Sequence, residues 1–395
     1  MNKRLINWLL VMIMILGGSS TDLYISSLPD MAVRFNVDAA IVNLTLSIFA
    51  LGFSVGCLLA GFFSDRFGRR VSALTGVLGF TVFAALIAIT PNLTIVIFFR
   101  FFQALFLAGA TIVCWQIATE IFHGKEQIAA VGMMTLGLSV SPAIAPVFGA
   151  YLAYFFSWRA CFTVSAFLGA VTFILLYRAL PETLKTALPL PGPVEIGKIF
   201  ASFFRVRIFI CYALITTVLY SAYFAFISMS SFIYIDSYGM NPRMFSQLFI
   251  LLSGASFLGN WLLRKLGNNG MEKRQIVFYG LIISLIGIVL YQAVFISKIP
   301  LYGIVVVTIG VALTRLGYGM LAGAAQVIAI TAVPARGGSA TGVLFFMQFS
   351  ACSLAGILVS SFHHYPVEGT VVVTAVLTLL AVPLFVLAKP RGVSG

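Results

Sequence analysis

Twelve apolar runs of about 20 residues, parted by short polar turns, take up almost the whole chain. A helix needs that length to cross the hydrocarbon core of a bilayer. Inside lipid a backbone must satisfy its own polar groups, so runs of this kind read as membrane-spanning helices. They fall at 5–27, 40–63, 71–90, 93–118, 127–153, 160–180, 208–234, 244–264, 276–297, 301–333, 338–361 and 369–388. The expected fold is therefore an all-α polytopic membrane protein. Composition agrees: 395 residues are 61% hydrophobic and 9% charged, far from the balance of a soluble domain.

Lys3 and Arg4, an apolar stretch and then Gly17-Gly18-Ser19-Ser20 have the outline of a cleaved signal peptide. The apolar run continues to Ser27, however, and its loss would leave an odd number of spans. It is read as the first span.

The net charge of +13 is a topology signal rather than a mark of nucleic-acid binding. With the N-terminus inside, 18 of the 24 Lys and Arg residues fall in inner segments. These include Arg66, Arg69, Arg70, Lys125, Lys185, Arg205, Arg207, Arg336, Lys389 and Arg391. Arg34, Arg159, Arg243 and Lys298 are the four in outer loops. That bias puts both termini in the cytoplasm, as for a multi-pass protein of the inner (cytoplasmic) membrane.

The longest inner segment runs from about Thr183 to Arg207 and carries Pro189, Pro191, Gly192 and Pro193, which break helix. It divides the chain into a six-helix half at 1–184, a linker at 185–207 and a second six-helix half at 208–395. Two echoes tie the halves together. Each closes its second span on a basic turn, Asp65–Arg70 and Arg264-Lys265-Leu266-Gly267. Each also carries Leu-Ala-Gly-Ala in its fourth span, at 107–110 and 321–324. Weak repetition of this kind is expected of duplicated halves.

Cys57, Cys114, Cys161, Cys211 and Cys352 all lie in apolar runs without paired or metal spacing, and read as small packed hydrophobes. His363 and His364 have no third ligand near them, so no metal is assigned. No nucleophile–base constellation and no phosphate-binding loop appears, which argues against an enzyme, a cofactor or ATP drive.

Charged residues inside spans are costly and mark function by default. Asp22 is the one acid placed well inside a span, on a small, polar stripe with Gly18, Ser19 and Ser26. It lies about 25 Å above the inner end of span one at 1.5 Å per residue. Arg100, in span four, lies about 10 Å below the outer end by the same rise. The two share a depth and can pair. Burial and a nearby arginine push a carboxylate's proton affinity in opposite directions, so such a site can be tipped by water or substrate. Arginine does not give up its proton, which leaves Asp22 as the group to titrate. A static ion pair locking two helices uses the same contact. Arg315 in span ten has no acid left to pair with, and its stripe continues through Tyr318, Gly319, Ala322 and Gln326. Span seven adds Thr217, Tyr220, Ser221, Phe224, Ser228 and Ser231, and span eleven adds Phe345, Gln348 and Cys352. This lining suits an apolar ligand with a few polar groups, and each residue taken singly equally suits helix packing. Gly52, Gly56, Ala60 and Ser64, and again Gly137, Ser141, Ala145 and Gly149, put small residues at four-residue spacing for close helix contact. Pro142 and Pro146 bend the fifth span.

Gly61-Phe62-Phe63-Ser64-Asp65-Arg66-Phe67-Gly68-Arg69-Arg70 resembles the signature loop of the major facilitator superfamily, G-x-L-a-D-R-x-G-R-K, with Phe63 and Ser64 in place of the usual leucine and small residue. Other matches are Ser20-Thr21-Asp22-Leu23-Tyr24 with Leu28-Pro29, Arg100-Phe-Phe-Gln103, the segment Pro142–Gly149, Leu180-Pro181-Glu182-Thr183-Leu184 and Gly338-Ser339-Ala340. Together they resemble twelve-span drug:proton antiporters of the bicyclomycin/chloramphenicol resistance (Bcr/CflA) branch, over essentially the whole length. The resemblance implies proton coupling at Asp22 with Arg100 as its partner, and a cavity in which Tyr24 and Gln103 join Tyr220, Phe224, Arg315, Tyr318 and Gln348. It implies a cytoplasmic latch at Gly61, Asp65, Arg66, Gly68 and Arg69, with an acid there facing a helix N-terminus such as that of span eleven. Pro142, Pro146 and Gly149 match a motif associated with exporters.

Two positions depart from the pattern. Ala104 replaces the glycine usual after Arg-x-x-Gln, and Val11–Leu16 offers no second acid. One acid and two arginines do not make a negative cavity, so neutral, zwitterionic or anionic substrates are expected over dications. The reading is a proton-coupled exporter of small amphipathic molecules such as drugs, working by alternating access as a monomer, with substrate, protons and bilayer as its partners. A dedicated exporter of a metabolite such as a siderophore, or a transport-inactive sensor or assembly protein, remains open beside it.

Overall fold

The computed structural model describes residues 3–184, 186, 189, 192–296, 299–333 and 337–388. Lys185, Pro191, Lys298, Arg336, Lys389 and Arg391, invoked above, lie outside the described residues, as do the side chains of Lys125, Pro193 and Ser339. Among the described residues there is no β-strand, and twelve segments are long and apolar enough to cross a membrane.

The first unit, Met1–Pro191 with Met240–Ile250, contains α1 (Lys3–Asp22), α2 (Leu28–Phe35), α3 (Ala39–Phe67), α4 (Arg69–Ile89), α5 (Leu93–Ile121), α6 (Gly124–Phe155) and α7 (Trp158–Ala179). The expected first span is not one continuous helix. Regular α-helix stops at Asp22, a 3-10 turn covers Ile25–Ser27, and α2 restarts at Leu28. Pro29 supplies the reason: it cannot donate to the carbonyl of Ile25, so it is tolerated only in the first turn of a helix that restarts here. Elsewhere the helices overrun the apolar runs by a few residues into polar flanks. Asn92 caps α5, its side chain accepting from the N–H of Thr94 at 2.8 Å and of Ile95 at 3.3 Å.

Glycine sets the crossings. A side chain at Gly52 or Gly56 on α3 would run into the main-chain carbonyls of Phe101 and Leu105 on α5. Gly76 on α4 lies against Phe106 and Ala110 of α5, where an added Cβ would come within 2.7 Å of main-chain atoms. Ile6, Leu10, Ile13, Val77, Val113, Ile117 and Leu176 fill the core between these helices. The second face of each span stays apolar and exposed, as at Phe98 and Ile174, which in lipid costs nothing.

The second unit, Gly192–Gly239 and Leu251–Gly395, contains α8 (Pro193–Phe204), α9 (Arg207–Ser231), α11 (Lys273–Gln292), α12 (Pro300–Thr331), α13 (Gly337–Ser360), α14 (Pro366–Leu387) and most of α10 (Pro242–Asn268). The stretch after the prolines, read as linker, is itself a helix, α8. A π-helical turn, Phe232–Ser237, extends α9 and carries the exposed Asp236. The crossings repeat those of the first unit. Gly259 on α10 lies against the carbonyl of Leu316, and Gly280 on α11 lies against Gly317 and Leu321 of α12. α12 carries Leu-Ala-Gly-Ala from Leu321, just as α5 carries the same four residues from Leu107, beside the matching crossing.

Candidate functional site

Asp22 is the last residue of α1, 9% exposed, and its carboxylate accepts from Thr21 Oγ1 at 3.2 Å. Helix termination at Asp22 leaves the final carbonyls of α1 without intrahelical donors. Arg100, two turns into α5, comes to this end of α1. Its Nη1 donates to the carbonyl of Ser20 at 3.1 Å and to Gln103 Oε1 at 2.7 Å, and its Nε donates to the carbonyl of Thr45 on α3 at 3.3 Å. The predicted Arg-x-x-Gln pair thus acts as one unit, one helical turn apart. Arg100 is fully buried, and three rings close over its guanidinium: Phe49 at 4.0 Å, Tyr24 at 4.9 Å and Phe162 at 5.7 Å. Tyr24 and Thr45 share a hydrogen bond of 2.9 Å. Burying a cation costs several kcal/mol. Three oxygen acceptors and three aromatic faces offset that cost. Nη2 has no hydrogen-bond partner among the described residues. The site therefore holds a titratable acid and a cationic donor not yet spent, at one break between helices.

α6 is positioned against this break by its small residues. Gly18 meets Ser141 and the carbonyl of Leu138, the carbonyl whose helical donor Pro142 removes. Gly149 meets the main chain of Leu23, one residue past Asp22. Pro142 and Pro146 lie inside an uninterrupted α6. The exporter-like segment therefore packs directly on the acid's own helix.

A single residue, Gly68, joins α3 to α4, with φ +101°. The left-handed region favours glycine, and a side chain here would also strike the carboxylate of Glu182. Asp65 pairs with Arg69 Nη1 at 2.6 Å, and Arg69 also bonds Glu120 at 3.0 Å and Ser64 Oγ at 2.9 Å. Ser64 donates to Gln116 at 2.9 Å. Glu182 accepts from the main-chain N–H of Arg69 at 2.9 Å and of Arg70 at 3.2 Å, so it caps α4. It also accepts from Thr183 and Leu184, both at 2.9 Å. Partial burial pushes the Glu182 carboxyl up, but these four N–H donors outweigh it and hold the group below the usual carboxylate range. Thr183 Oγ1 closes the circuit on Glu120. Arg66 is exposed and stands outside this network, and Gly61 has open space around it.

In the second unit the aromatic residues gather. Tyr220 lies 5.6 Å from Tyr318 and 5.9 Å from Phe349, and Gln348 donates to Tyr318 Oη at 2.9 Å. Arg315 stacks on Tyr223 at 3.7 Å, with its Nε unpartnered among the described residues. Phe224, also named from the sequence, is 8% exposed. The sequence reading missed Tyr223 and Phe349, each one residue from a position it named, Phe224 and Gln348. It missed Phe49 and Thr45 around Arg100 and Glu120 beside the loop, and it quoted Glu182 within a matching run without giving it a role there. The run Leu-Pro-Glu-Thr-Leu was the available signal for Glu182; Phe49 and Thr45 lie in a plain apolar run that carries none.

The model of the Major Facilitator Superfamily matches residues 9–356. The MFS-type transporter YdgK of Bacillus subtilis (strain 168) is 28% identical over 390 residues, covering 97% of this chain and 95% of the relative. The bicyclomycin resistance protein homolog of Haemophilus influenzae (strain ATCC 51907) is 25% identical over 345 residues, covering 86% and 85%. A crystal structure of a bacterial homolog to the human lysosomal transporter Spinster, inward-facing and unoccupied, superposes with a TM-score of 0.75 at 17% identity, covering 97% and 96%. Twelve spans, the repeated glycine crossings and a match across most of the length have one reading: this chain belongs to the Major Facilitator Superfamily.

Proposed function

We propose that this transporter is a proton-coupled exporter of small amphipathic molecules, drugs among them. The carrying observation is Asp22, a buried acid at the broken end of α1, beside a buried arginine with an unspent Nη2. Asp22 takes a proton from the outer side and releases it inside as substrate leaves, and Arg100 holds the α1 break in register through Ser20. The bicyclomycin resistance homolog supports drugs as the cargo, and the packing of the Pro142–Gly149 segment on α1 supports export. Arg315 over Tyr223, amid Tyr220, Tyr318 and Gln348, supports neutral, zwitterionic or anionic cargo rather than dications. The halves at 1–184 and 208–395 are the moving bodies of alternating access. The charge bias supports an inner-membrane location with both termini in the cytoplasm, and the protein acts as a monomer.

The test is proton release from the purified, detergent-solubilised protein on adding candidate compounds, beside Asp22→Asn. Release that vanishes in the variant supports the coupling role and identifies a cargo class. Equal release in both proteins would make Asp22 structural and move the search to Asp236.

A further inference from the structure

A groove of about 430 Å³ runs between α1, α6 and α7, its wall formed by Trp8, Ile15, Ile144, Phe148 and Leu168 among others. Its residues along the first span extend from Trp8 on α1 to Leu23 just past it, about 22 Å at 1.5 Å per residue. That is well over half of the roughly 30 Å hydrocarbon core. The wall is apolar except for three serines, and each hydroxyl donates to a main-chain carbonyl: Ser19 to Ile15 at 2.8 Å, Ser165 to Cys161 at 2.9 Å, Ser141 to Ile15 at 3.3 Å. A ligand with its own donors and acceptors would lose hydration here without return. A saturated or mono-unsaturated hydrocarbon chain would lose nothing.

Charge at one end says what the chain belongs to. Arg4 lies one turn before Trp8, and the helical repeat puts it in line with Ile15. Arg178 lies in the last turn of α7, at the same end as Arg4, where Leu176 and Leu180 share a core with Ile6 and Leu10. Both arginines are exposed. Of the acids near this end, Glu126 is already taken by Lys3 at 2.6 Å, and Glu182 by four main-chain N–H groups. Trp8 is 58% exposed between the two chemistries, where an interfacial indole belongs. Two cations suit a phosphate, and with both carboxylates engaged the described residues at this end leave an ammonium headgroup no partner.

We propose that this groove is a binding site for one anionic phospholipid, with an acyl chain between α1, α6 and α7 and its phosphate on Arg4 and Arg178. On the topology proposed above, the lipid comes from the cytoplasmic leaflet.

Native mass spectrometry of the delipidated full chain in detergent tests this, with dioleoyl phosphatidylglycerol and dioleoyl phosphatidylethanolamine titrated separately. The expected result is one retained phosphatidylglycerol, at about tenfold lower concentration than phosphatidylethanolamine requires. Arg4→Gln with Arg178→Gln removes that preference. Ile144→Trp, at a position 60% exposed on the groove wall, removes retention of both lipids. Equal retention of the two lipids by the wild type would overturn the headgroup assignment. Phosphatidylglycerol retained by Ile144→Trp as by wild type would place the lipid elsewhere. A transported compound that displaces the lipid one for one, with its own affinity unchanged in the arginine variant, would give the groove to substrate instead.

Discussion

The Cα of Gly149 on α6 rests against the carbonyl oxygen of Leu23, so close that no side chain fits between them. The contact lies one residue past Asp22, and it ties the fifth span to the acid's helix. Gly149→Ala must push α6 off α1, a strain of about 1–3 kcal/mol. A lowered melting temperature and loss of export are expected together. Gly61→Ala is the contrast, because nothing lies within 4 Å of its Cα direction. There the melting temperature should hold or rise, helix propensity gaining about 0.5–1 kcal/mol. If both variants melt alike, the Gly149 contact is not tight in the working protein.

Arg100→Lys removes the planar fork that reaches Ser20, Thr45 and Gln103 at once. Hydrogen bonds to a charged group contribute about 1.5–3 kcal/mol each, and a lysine keeps at most part of them. A fall in melting temperature accompanied by loss of export is expected. Preserved export in everted vesicles would show that charge alone suffices at this position.

Asp22→Asn keeps the shape of the acid and removes its titration. Export driven by an imposed pH gradient should fall to background, with little change in melting temperature. Gradient-driven export at the wild-type rate would rule out coupling at Asp22.

Glu182 links proton binding to stability at the cytoplasmic end of α4. Its carboxyl is held below the ordinary range, so its contribution is fully present above the ordinary glutamate value and fades as pH falls through the lowered one. Glu182→Ala should cost about 1 kcal/mol at neutral pH, the worth of a helix cap. Melting curves of wild type and variant should converge as the buffer is taken from about pH 6 to about pH 3. Parallel curves across that window would remove Glu182 as a titrating cap. Gly68→Ala, which forces φ +101° on a side chain and expels the same carboxylate, should be the more damaging change.

The spans were legible because membrane thickness fixes a run length that no loop imitates, and the helix edges moved by only a few residues. The halt of α1 at Asp22 was harder to read. Leu23–Leu28 is apolar enough to pass as span, and only Pro29 betrays the break. Asp22 and Arg100 were legible because charge in lipid is conspicuous. Their surroundings were not: Phe49, Thr45 and Phe162 are brought to Arg100 by the crossing of α3, α5 and α7, which no local pattern records. Arg315 was read as lacking an acid, and the structure answers with an aromatic face, Tyr223, one helix away. The charged loop was recognised by its own residues, whereas the groups that hold it, Glu120 and Glu182, lie 51 and 113 positions along the chain from Arg69.

With one residue between α3 and α4, the two helices share no slack. A connection of several residues can absorb a rotation of one helix by flexing, but Gly68 offers a single φ and ψ, and Glu182 pins the N–H groups just beyond it. Torque on α3 therefore passes to α4 with little loss, and the pair turns as a crank rather than as two independent rods. Any rocking of the first six spans has to carry both helices through the same angle.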